Sequence, residues 1–144
     1  MSLIENLRTK QEVFDYVAIK LIEQDRASMF GTDCQYRTPD GCRCAAGWLI
    51  PDDEYSAEME GELVWEVATR SPTLNQLERS FGEVFLQQLQ SAHDGGHWYP
   101  GGNPTDLTLW PNRDPDWLGS FKARMRIVAQ NHGLNAEVLN AEPR

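Results

Sequence analysis

The clearest hydrophobic pattern in the chain lies near its start, where Val13, Phe14, Val17, Ala18, Leu21 and Ile22 recur at intervals of three and four. This spacing collects them on one face of an α-helix. Thr9 and Glu12 occupy capping-box positions just ahead of it, so a helix is predicted to begin there. Leu3, Ile4 and Leu7 allow a short turn upstream, and residues 1–8 are otherwise read as a loose leader.

Apolar faces recur along the rest of the chain. Leu63, Val64, Val67 and Ala68 predict a helix within 57–69, with Pro51 and the acidic run Asp52-Asp53-Glu54 as a start signal before it. Ser71-Pro72 supplies an N-cap and first-turn pair for a short helix carrying Leu74 and Leu77. Phe85, Leu86, Leu89 and Ala92 stripe a helix over 82–93. A last helix is predicted from Asp114-Pro115, with Leu118, Phe121, Met125, Val128 and Ala129 inward and Gly133 as its stop.

Two segments break the helical pattern. In the stretch from Cys34 to Cys44, Pro39-Asp40-Gly41 has turn chemistry, and a small β-hairpin is predicted. A type I turn with a glycine bulge pairs Thr38 with Cys42 and Tyr36 with Cys44, placing Cys34, Cys42 and Cys44 on one face. Residues 94–113 hold glycines and prolines interleaved with Trp98, Tyr99 and Trp110, and read as a long loop. The expected fold class is therefore α+β and predominantly α-helical. About five helices surround one core with a Cys-bearing hairpin against it, in a single domain spanning 1–144.

Charge narrows the choice of partner. The net charge is −9, and between Asp33 and Glu62 eight acidic residues stand against Arg37 and Arg43 alone. An acidic surface disfavours direct nucleic-acid binding, which relies on Lys and Arg to neutralise phosphates. No apolar run is long enough to span a bilayer, so no membrane association is expected. Three cysteines are an odd number for a disulfide framework, and free thiols in a cytoplasmic setting are expected.

Several residue sets carry candidate chemistry. Cys34, Cys42, Cys44 and His93, or His97 in place of His93, have the residue types of a zinc site, though the single residue between Cys42 and Cys44 is tighter than usual zinc spacing. Apart from zinc, no cofactor is expected. Cys44, His93 and Asp94 have the types needed for nucleophilic catalysis, but Asp94 adjoins His93 and looks badly placed to orient that ring. Set against both is the reading of buried core thiols. Asp52, Asp53 and Glu60 are candidate binding carboxylates, and helix-start charge accounts for the first two equally well. Trp98, Tyr99 and Trp110 can stack a flat ligand such as a nucleotide, anchor a protein, or fold back on their own loop.

The residues Tyr36-Arg37, Gly41, Cys44-Ala45, Gly47, Leu49-Ile50-Pro51-Asp52, Tyr55 and Met59-Glu60-Gly61 form a pattern YRxxxGxxCAxGxLIPDxxYxxxMEG. This pattern resembles a group of small bacteriophage and bacterial proteins with no assigned activity. The resemblance implies a phage or prophage accessory protein acting in the host cytoplasm, and marks the segment after Asp94 as an insertion. Acidity, small size and the lack of a coherent catalytic set favour a non-enzymatic binding protein, a modulator or inhibitor of a host defence protein. A Cys/His- or metal-dependent enzyme and a nucleotide-signal sponge are the alternatives.

Overall fold

The computed structural model describes residues 3–30, 33–95 and 115–142. Helix α1 spans Lys10–Gln24 and buries all six residues of its predicted stripe. Thr9 Oγ1 accepts from Glu12 N at 3.1 Å, while the Glu12 carboxylate accepts from Arg8 N at 3.0 Å, so the first turn is capped from both directions. Two short helices follow, α2 (Ala45–Trp48) and α3 (Val64–Val67). The longer α4 (Pro72–Phe81), α5 (Glu83–Asp94) and α6 (Trp117–His132) complete the set. Single 3₁₀ turns occupy Leu3–Asn6, Ala57–Met59 and Glu137–Asn140.

Helix α5 is the hub, packing against α2, α3, α4 and α6, while α1 packs on α2, α6 and the last 3₁₀ turn. Phe14, Phe85, Phe121, Leu21, Leu89 and Leu139 are fully buried within one continuous apolar cluster. Each such side chain contributes roughly 1.5–3 kcal/mol by leaving water. Ile4 joins the same cluster and Leu7 packs against it, so the upstream turn is part of the core. The junction of α4 and α5 rests on Gly82, whose φ of 97° lies where side-chain-bearing residues are strained. No helix among the described residues is long and apolar enough to cross a membrane.

The fold is α-helical, which corrects the α+β expectation. Thr38 N does donate to Cys42 O at 2.9 Å, but the extended pairing there stops at an isolated bridge between Arg37 and Arg43. Elsewhere it is two residues long, Met29–Phe30 against Asp33–Cys34. The hairpin has no second strand because Cys44 already caps α2, its sulfur accepting from Gly47 N at 3.4 Å. The Tyr36 and Arg37 amides turn instead to the carboxylate of Glu60, at 2.8 and 3.1 Å. The last helix likewise starts later than predicted: Asp116 caps it through Gly119 N at 3.1 Å, Trp117 is buried, and Leu118 is only partly so.

Candidate functional site

The sequence pattern from Tyr36 to Gly61 folds into one interlocked wall. Glu60 accepts from the Tyr36 and Arg37 amides and from the Tyr55 hydroxyl, the last at 2.6 Å. Arg37 donates to Ile50 O at 2.9 Å, pairs with Asp52 at 2.9 Å and lies 4.5 Å over the Tyr55 ring. Gly47 is required because a Cβ there would collide with the Tyr36 carbonyl oxygen. Asp52 also pairs with Arg43 at 3.1 Å, so two of the acidic binding candidates, Asp52 and Glu60, have structural partners. Asp53 is exposed.

This wall faces α5 across a cleft of about 750 Å³. Cys34, Tyr36, Cys44, Glu60 and Glu62 line it on one side, and Gln87, Gln90, Ser91 and Asp94 on the other. Leu63 and Trp65 form part of its lining while remaining 51% and 48% exposed. Sequence periodicity placed Leu63 in the core, but α3 has only four residues, too few to turn both ends inward. The carboxylate of Glu62 is paired with Arg70 at 2.9 Å.

Asp94 lines the cleft at the C-terminus of α5, and His93 beside it is fully buried. His93 Nδ1 and Asp94 Oδ1 are 2.8 Å apart, so the adjacent carboxylate does hold this ring, contrary to the sequence-based expectation. The Ser28 N–H donates to His93 Nε2 at 2.8 Å, which makes Nε2 an acceptor and assigns the proton to Nδ1. Gln90 donates to Asp94 Oδ1 at 3.0 Å, and its own side-chain oxygen accepts from Ala46 N at 2.9 Å. Trp117 Nε1 donates to the His93 carbonyl at 3.0 Å, tying α6 to the same point.

This geometry bears on both chemical candidates. Cys34, His93 and Asp94 place ligand atoms within 4.8 Å of one another, whereas Cys42 lies against Arg26, whose Nε donates to its sulfur at 2.8 Å. The three cysteines thus do not gather as one ligand set. A metal on His93 would need a bare ring nitrogen, but Nε2 faces a fixed backbone donor and Nδ1 carries the proton held by Asp94. The same occupancy leaves no ring nitrogen to take a proton from Cys44. Burial, and then the charge of Asp94, push the Cys44 thiol far above the ordinary thiol range, which opposes formation of a nucleophilic thiolate.

Trp98, Tyr99, Trp110 and His97 lie outside the described residues. Sequence reasoning missed Leu63, Trp65, Gln87, Gln90 and Ser91 as site residues. A usable signal existed for three of them: Gln87, Gln90, Ser91 and Asp94 follow i, i+3, i+4, i+7 spacing, a polar stripe beside the buried one. Compared with known protein families, with curated proteins and with solved structures, the chain finds a match in none of the three.

Proposed function

We propose that the protein is a non-enzymatic binding protein that receives a basic partner protein in the cleft between α3 and α5. The observation that carries this reading is the combination of surfaces there. Leu63 and Trp65 are half-exposed beside Glu60, Glu62 and Asp94, and no Lys or Arg is among the described residues that line the cleft. An exposed aromatic next to an apolar neighbour is the usual form of an interface anchor. The net charge of −9 adds long-range attraction for a cationic surface, speeding encounter. A catalytic reading is less well supported, because His93 has both ring nitrogens committed. The resemblance of the 36–61 stretch to phage and bacterial proteins favours a host protein as the partner.

The test is photo-crosslinking in cells, with the photoreactive residue placed either at Leu63 or at Ile127, which is 57% exposed on α6 and outside the cleft. The expected result is a basic protein crosslinked from Leu63 and not from Ile127, with a yield that falls as ionic strength rises. Identical adducts from both positions would overturn the reading.

A further inference from the structure

The inner wall of the cleft is a stripe of α5. Gln87, Gln90, Ser91 and Asp94 all line it and share one helical face, running about 10 Å along the axis. At its inner end Asp94 is only 6% exposed. Both of its hydrogen bonds, from His93 and from Gln90, arrive at Oδ1. Among the described residues Oδ2 accepts none. Since His93 is the neutral Nδ1–H tautomer, this buried carboxylate is held by two uncharged donors and faces a cleft with no cation among its described lining residues. A carboxylate oxygen that opens to the cleft from a largely buried residue favours a cationic partner group.

Resting on the binding reading above, we infer that the group the partner inserts is an arginine side chain. Its guanidinium meets Asp94 Oδ2 and the side-chain oxygens of Gln87 and Ser91, and its stem and plane lie along Leu63 and Trp65. A guanidinium offers five donors in one plane to several acceptors and stacks on an indole, whereas an ammonium is a compact, strongly hydrated charge that uses fewer of these groups. The Tyr36 hydroxyl does not compete, because it donates to the Glu62 carbonyl at 2.5 Å.

The experiment is an NMR titration of the ¹⁵N-labelled full chain with N-acetylargininamide and with its uncharged isostere N-acetylcitrullinamide. The arginine probe should shift the Trp65 indole N–H and the amides from Gln90 to Asp94, and citrulline should bind at least about tenfold more weakly. Asp94→Asn retains Oδ1 as acceptor for His93 and Gln90 and removes the charge, so it should weaken arginine binding by about tenfold. If that variant fails to fold, Trp65→Leu removes the stacking plane from the exposed rim without touching the buried network, and should weaken arginine binding several-fold. Equal binding of the two probes, or shifts confined to residues outside the cleft, overturns the arginine assignment. Leu63-specific crosslinks that persist in that case leave the binding reading standing; their absence removes it as well.

Discussion

Ser71 Oγ donates to Glu54 Oε1 at 2.6 Å, joining residues 17 positions apart. The same carboxylate accepts from Thr73 N at 2.9 Å and Thr73 Oγ1 at 2.6 Å, while Ser71 Oγ accepts from Leu74 N at 3.2 Å. Helix α4 is therefore capped twice, once by its neighbour in sequence and once from a distance. Partial burial pushes the Glu54 carboxyl up, but the hydrogen bonds from Ser71 and Thr73 outweigh it and hold the pKa below the ordinary glutamate value. With the folded pKa depressed, this stabilisation is present above the unfolded value and lost as pH falls through the folded one. Glu54→Gln should cost about 1–2 kcal/mol in urea denaturation at neutral pH. The difference from wild type should shrink below pH ~4. A difference unchanged in acid would refute the assignment.

His132 makes a pH-dependent contribution of the other kind. Its Nδ1 accepts from Lys10 Nζ at 3.2 Å and its Nε2 donates to Gln88 Oε1 at 2.6 Å, which selects the neutral ring. Burial, and then the charge of Lys10, lower its pKa. The folded state thus binds the proton less readily than the unfolded chain, and stability should decline as pH drops below about 6.5 toward the folded pKa. His132→Gln should flatten the fall in Tm across that window, as read by scanning calorimetry at a series of pH values. An identical slope in the variant would show that other groups carry it.

Gly47→Ala should be among the most damaging single-methyl changes. The added carbon meets the backbone oxygen of Tyr36, and that segment is itself held by Glu60. A loss of about 3 kcal/mol is expected, measured by chemical denaturation. Retention of wild-type stability would mean that the Tyr36 backbone yields freely.

Thiol labelling separates a core cysteine from a reactive one. Cys44 is 1% exposed and Cys34 is only partly buried, so native protein should label at Cys34 first, with Cys44 reacting only as urea unfolds the chain. Peptide mapping after a timed maleimide pulse reads this directly. Rapid native labelling of Cys44 would revive the nucleophile reading.

Helices with long apolar stripes were legible in the sequence because their periodicity and caps are local, as with Val13 to Ile22 or the stop at Gly133. The hairpin was not, because its outcome depended on Glu60, 24 residues from Tyr36, taking the amide that strand pairing requires. His93 and Asp94 stood out as chemistry-bearing residues, yet their meaning turns on the amide of Ser28, 65 residues away. The stripe of Gln87, Gln90, Ser91 and Asp94 reads in one dimension as a solvated helix face, and only the start of α3, with Leu63 and Trp65, makes it the wall of a cleft. What escaped the sequence was long-range side-chain to backbone bonding, which leaves no periodic trace.

The carboxylate of Glu60 has a consequence for how this sequence can change. The Tyr36 and Arg37 amides and the Tyr55 hydroxyl all end on it, and since only the last donor is a side chain, it is substitutions at Tyr55 and Glu60 that are not independent: changing one alters what the other must satisfy. Tyr55→Phe and Glu60→Gln made together should therefore cost less than the sum of the two made singly. Viable descendants of this chain should exchange Tyr55 and Glu60 together, whereas the exposed Leu63 and Trp65 can change one at a time.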